Sequence, residues 1–277
     1  MRRAVWMMLA LLVVCGGCSR DGGTPSTRSA SGSAPAPAPA VVTQGKVTLG
    51  HMHHRPAPKP DAEDPLAWTD AQGAQWEVTR LYVVVSAVEL HLCEPAQASL
   101  LWDALVPSAY AHVPDAATRL GTPFIEELVT RPGRARIVGE VAPPLADVCE
   151  LVVVIAPADA DVMNDTELDA EALLGHSLIL QGRRRPAPDQ PWAPFELSAA
   201  VTDAWTARAI HPKTGDAPLR LRASSPDAFV LLEKTLGVED LGGLSEATLK
   251  DRAARDAFAS DLLKRLGRTL AVRRSKR

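Results

Sequence analysis

The sequence predicts a mainly β protein: an antiparallel β-sandwich with one C-terminal α-helix. Residues 73–93, GAQWEVTRLYVVVSAVELHLC, form its longest β-type run. About eight short strand patterns, separated by Pro- and Gly-rich turns, surround it. A single helical period, near the C-terminus, suits an element that plugs one end of a sandwich or covers a sheet edge.

The long run opens after Gly73 and closes at Glu94-Pro95. Val83, Val84 and Val85 stand in a row, which is too apolar for a strand with one wet face. The apolar phase also slips. Leu81, Val83 and Val85 are odd-numbered, whereas Val88, Leu90 and Leu92 are even. A β-bulge near Ser86, or a crossing between sheets there, would produce that slip.

The other elements follow in order. Residues 46–54 alternate and make a first strand; 55–65, with four prolines, are a loop. Residues 97–106 are mixed and 108–121 read as loop. Residues 123–129 form a short helix or strand, and 136–141 a strand. Pro143-Pro144 breaks the chain before a second strongly apolar strand at 148–155. Residues 157–171 are an acidic loop without the Gly and Glu of an EF-hand. A strand at 173–181 precedes a basic, Pro-rich loop at 183–194. Short strands follow at 195–201, 219–223 and 229–232. Ser245 caps a helix to about residue 266, with Leu249, Ala253, Ala257, Leu262 and Leu266 on one face. Residues 269–272 are a last strand and 273–277 a frayed basic tail. Trp68, Trp76, Trp102, Trp192 and Trp205 read as core or edge cover.

The chain divides into a signal peptide at 1–17, a tether at 18–45 and the β-sandwich domain at 46–277. Arg2 and Arg3 precede an unbroken apolar run from Ala4 to Val14, too short to span a bilayer. Gly16, Gly17 and Cys18 then match the pattern of small residues before a modified cysteine. In this the N-terminus resembles bacterial lipoprotein signals; the alternative is ordinary secretion with cleavage nearby. The resemblance implies acyl chains (palmitate among them) on Cys18, and Ser19 after it implies sorting to the outer membrane. Several chains hold a protein to a membrane firmly. The tether is rich in Ser, Thr, Pro and Ala and is too poor in large apolar residues to bury a core. At about 3.1 Å per residue it reaches roughly 80 Å. The expected localisation is lipid-anchored at the outer membrane, with the domain facing the periplasm.

That compartment is oxidising, so Cys93 and Cys149 are expected to form a disulfide. Free thiols and soft-metal ligation are the alternatives. The formal net charge is −3, and no global field favours nucleic acid.

Among candidate sites, His51-Met52-His53-His54 stands out. Histidines at i and i+2 of a strand share a face, so His51 and His53 can hold one ion, copper or zinc. His91 and His112 are the candidates for completing it, with Glu89 or Asp115 as further ligands. His91 shares its face with Glu89 and Cys93. There is no Gly-rich phosphate loop, no H-E-x-x-H and no G-x-S-x-G.

The segment Leu81–Leu90, LYVVVSAVEL, resembles a signature strand of periplasmic proteins associated with copper and methanobactin systems. That resemblance implies a β-sandwich, often lipid-anchored, and carries no ligands over. The layout of the domain also resembles uncharacterised lipoproteins of Gram-negative bacteria, in which a strand ends in Cys and a second Cys opens a later apolar strand. The expectation is a binding protein rather than an enzyme, with a transition metal held by histidines and no cofactor otherwise. An envelope module that binds another protein without metal is the alternative, and a hydrolase with an unrecognised site is the third reading.

Overall fold

The computed structural model describes residues 44–56, 65–93, 116–164, 166, 168–208, 219–221 and 226–275. The signal peptide, Cys18, most of the tether, Trp102, His112 and Asp115 lie outside the described residues.

Among the described residues thirteen strands make two sheets. They are β1 (Lys46–His54), β2 (Leu66–Thr69), β3 (Gln75–Leu92), β4 (Arg119–Leu120), β5 (Phe124–Glu127), β6 (Arg136–Val141) and β7 (Asp147–Ile155). After these come β8 (Leu178–Arg185), β9 (Ala193–Ala199), β10 (Asp203–Arg208), β11 (Leu219–Arg220), β12 (Asp227–Thr235) and β13 (Ala271–Ser275). One sheet has the order β13-β12-β1-β6; the larger one runs β10-β7-β3-β8-β9, with β11 on β7 and β2, β4 and β5 on β3. The strands are antiparallel except that β1 runs parallel to β12.

Strand β3 organises the larger sheet. Val83 lies between Glu126 of β5 and Leu178 of β8, and Val85 between Phe124 of β5 and Ile155 of β7. One edge of β3 therefore changes partner, from β8 to β7, close to Ser86. The register shifts there, between Val85 and Ala87, where the sequence phase slips. Leu81, Val83 and Val85 before the bulge, and Val88 and Leu90 after it, all face the main core between the sheets. Tyr82 and Val84 face a second apolar cluster with Ile125, Ala158, Leu173 and Ile179. Both faces of the valine run are dry, which is why it lacks polar alternation. The expected disulfide is present: Cys93 and Cys149 are joined, with Cα atoms 5.0 Å apart, where β3 and β7 run antiparallel.

Within 123–129, read as a short helix or strand, Phe124–Glu127 is a strand, β5. Other elements differ from their sequence expectation. Arg183 to Arg185 continue β8 instead of opening a loop. Two of their guanidinium groups flank the Trp192 ring, at 5.0 and 4.8 Å, and Arg184 lies 5.1 Å from the Trp76 ring. Cation–π contacts and β9 pairing together outweigh the Pro-rich composition that follows. Strands β2 and β10 are additions, each a short pattern recruited by a long neighbour, β3 or β7. Arg273 and Arg274 belong to β13 and pair with Leu231 and Val230, so the tail is ordered that far.

The C-terminal helix is two helices, α2 (Glu246–Lys250) and α3 (Arg252–Thr269), after a short α1 (Ala170–Leu173) in the acidic segment. Ser245 caps α2 as expected. Asp251 interrupts: its backbone is extended and its carboxylate accepts from Ala254 N–H at 2.7 Å, starting a new helix. The restart rotates the buried face, which consists of Phe258, Ala259, Leu262, Leu263 and Leu266, leaving Ala253 and Ala257 exposed. Gly267 brings α3 against Trp205, where a Cβ would come within 2.6 Å of the indole. Among the described residues no helix is long and apolar enough to cross a membrane.

Candidate functional site

Strand alternation places the site. On β1, Val47 and Leu49 point into the main core, so His51 and His53 point there too. Both are buried, at 5% and 4% exposure. His54 takes the other face and lies 3.8 Å from Glu233. On β12 the core face is Val230, Leu232 and then Lys234. The parallel register sets Lys234 beside His53 and Leu232 beside His51. From the opposite sheet, Phe124 on β5 brings Glu126 to the core face, and Trp205 on β10 arrives opposite Val153.

Five side chains from four strands thus meet between the two sheets. Lys234 and Glu126 have no exposed side-chain surface. Lys234 Nζ lies 2.5 Å from each carboxylate oxygen and donates to Oε1. His51 Nδ1 is 3.6 Å from Oε1, outside hydrogen-bond reach. The His51 ring leans on Phe124 with centroids 6.0 Å apart, and Lys234 Nζ stands 5.3 Å from the Trp205 ring centre.

Electrostatics keep the imidazoles neutral. Burial is the main cause that lowers the pKa of His51 to about 4; Lys234 and Arg136 push the same way, while Glu126 opposes them. Burial likewise lowers His53 to about 4, with His51 adding to it. Glu126 is fully buried, which favours its acid form, but the charge and hydrogen bond of Lys234 work against this and its pKa is lowered. Both ring nitrogens of His51 and Nε2 of His53 have no hydrogen-bond partner among the described residues. Such buried, unsatisfied groups cost about 1–3 kcal/mol each.

The sequence-predicted ligands are only partly brought together. His51 and His53 share the interior, as their spacing requires. His91 lies past the Ser86 bulge, on the face of β3 opposite Val88 and Leu90. It is about half exposed, and its Nε2 is 3.4 Å from Glu89 Oε2. Arg119 also bonds Glu89, at 2.8 Å, and His91 and Arg119 hold that carboxyl below its usual range. His112 is outside the described residues. Among the described residues, no three His, Cys, Asp or Glu side chains converge as the ligands of one ion.

Glu126, Lys234 and Trp205 are missing from the sequence-level site. A signal for two of them exists. In FVLLEKTL, Lys234 falls on the even-numbered face shared by Val230, Leu232 and Leu236. In FIEEL, Glu126 falls between Phe124 and Leu128. A charge at a core position of an otherwise apolar stripe implies a buried partner.

No family model matches the chain, and neither does any curated protein sequence. A solved structure, MbnP from Methylosinus trichosporium, is similar to it with a TM-score of 0.30 and 10% identity, over 73% of this chain and 79% of that one.

Proposed function

We propose that the chain is a lipid-anchored binding protein of the cell envelope that takes a copper(I) ion on His51 and His53. The observation that carries this reading is the set of buried, neutral imidazoles with unpartnered nitrogens. A neutral imidazole is the metal-binding form, and a bound ion would satisfy a nitrogen that the protein leaves bare. Copper fits better than zinc. Structural zinc takes four ligands, and only two imidazole side chains are on offer in this core among the described residues, with Glu126 engaged by Lys234. A monovalent ion is also easier to bury beside an ammonium than a divalent one. His112 remains the candidate for a third ligand. His91 takes no part, and no catalytic step is proposed. Cys18 carries the anchor, and the domain faces the periplasm.

The test uses protein without a His-tag. Anaerobic titration against a chromophoric copper(I) chelator should show one ion bound per chain, and His51→Ala/His53→Ala should abolish it while keeping the β-sheet circular dichroism. Absence of uptake at micromolar copper(I) or zinc would end the reading. Cys18→Ala should move the protein from the membrane fraction to the soluble periplasmic fraction; an unchanged distribution would remove the anchor from it.

A further inference from the structure

We infer that the turn between β5 and β6, with Arg131 and Arg134 at its tip, docks an acidic peptide segment of a partner protein. From Leu128 to Gly139 the sequence is LVTRPGRARIVG, with three arginines and no acid between Glu127 and Glu140. That is a local surplus of positive charge in a chain whose formal net charge is −3. Arg131 and Arg134 are exposed, and among the described residues neither joins an ion pair. Arg136, partly buried at the start of β6, lies close enough to feel the charge of Arg131. Like charges gathered in this way repel one another, and a carboxylate brought from outside relieves the repulsion.

The turn is held in one shape. Glu127, the carboxylate that precedes it, is engaged by the backbone: Oε1 accepts from the N–H groups of Val129 and Thr130, each at 3.0 Å, and Oε2 from the Thr130 hydroxyl. Just past the end of β1, Arg55 donates to the Val129 carbonyl at 2.6 Å. Gly133 N–H donates to the His53 carbonyl at 2.7 Å. Among the described residues Arg131 is the one non-glycine residue with a left-handed backbone, at φ 54°. That conformation is unfavourable for an L side chain, and such outliers gather at functional sites. Glycine would meet the backbone need without strain. Arginine meets it with strain and sets a guanidinium at the tip.

Carboxylates on a peptide suit these groups. A guanidinium fork takes a carboxylate through two parallel N–H donors. Arg131 and Arg134 share one turn, so a segment with several acidic residues can meet both. A membrane surface suits the turn less well. Thr130, Pro132 and Gly133 put no large apolar or aromatic side chain beside the arginines to enter a bilayer interface. Ile137, 58% exposed on β6, is placed to meet an apolar residue of the same segment. A partner seated here lies against the strand end that carries His53, but the inference stands whether or not a metal binds.

The experiment is fluorescence anisotropy of a labelled peptide of alternating Glu and Gly, titrated with the whole protein in non-ionic detergent. The expected result is saturable binding at low salt that weakens as salt rises. Arg131→Gly/Arg134→Gly removes both charges, and glycine accepts the left-handed backbone at 131, so the fold is kept. This pair should raise Kd about tenfold or more. Arg252→Ala/Arg268→Ala takes the same charge from exposed positions on α3 and should leave Kd unchanged. No binding at low salt would overturn the inference. So would equal weakening by the two variant pairs, which would mean that overall charge, not the turn, holds the peptide. Cosedimentation with phosphatidylglycerol vesicles that the turn variant loses, with no peptide bound, would assign the turn to a membrane surface and overturn the inference too.

Discussion

Lys234 and His53 are Cα partners across the parallel β1–β12 ladder, so an ammonium and a neutral imidazole leave the same face of one sheet side by side. Their common counterpart, Glu126, comes from the other sheet. Of these groups it is the Lys234 ammonium that the Glu126 carboxylate answers with a hydrogen bond.

Removing one member of the buried pair should therefore be costly. Lys234→Met or Glu126→Leu alone leaves a buried group without its partner, and each should destabilise by about 3–5 kcal/mol. The double variant removes both groups and should be more stable than either single one. Urea unfolding of the three variants measures this. A double variant that unfolds earlier than both singles would contradict the pairing.

The histidines predict an acid limit for the metal-free protein. Their folded pKa of about 4 lies below the ordinary 6.5, so between those values the unfolded chain binds more protons. Stability from this source is fully present above pH 6.5, falls as the pH drops from 6.5 to 4, and levels off below 4. The loss is about 3 kcal/mol for each histidine. Denaturant midpoints measured through that window should fall, and His53→Leu should flatten the slope by about half. A midpoint independent of pH would show that the imidazoles are not buried as neutral groups.

The disulfide closes a loop with a sequence separation of 56. In the chain-entropy model its removal costs about 4 kcal/mol. Cys93→Ser and Cys149→Ser should lower stability alike, and reductant should bring the wild type down toward them. If reductant leaves the unfolding midpoint where it was, the bridge is not formed.

Gly267 sets how closely α3 approaches Trp205. A methyl group there meets the indole at 2.6 Å. Overpacking of this kind costs about 1–3 kcal/mol. Gly267→Ala should lower the thermal midpoint and shift tryptophan emission, because the displaced ring also covers Lys234. Unchanged emission would mean that the helix yields instead of the ring.

How far the fold was legible depends on the range over which each feature is encoded. The strand at 136–141 and the first strand at 46–54 coincide with β6 and β1, since alternation is a property of neighbouring residues. The phase slip at Ser86 and the pairing of Cys93 with Cys149 were also readable, one from parity and the other from the number and position of the cysteines. The break at Asp251 was harder. An Asp inside a helical period can sit on the solvent face or start a new helix, and the packing of Phe258 and Leu262 decides which. Arg183 to Arg185 read as loop because the contacts that hold them in β8 come from Trp76 and Trp192.

The candidate site shows the same division. Spacing alone determined that His51 and His53 share one face of a strand. Only the tertiary structure decided that this face turns inward, that Glu126 and Lys234 meet it there, and that His91 lies on the outer side of the other sheet. The physical reason is that alternation records which residues avoid water but not which distant strand covers them. Glu126 and Lys234 are brought together by sheet packing across 108 residues, and nothing local to either one names the other.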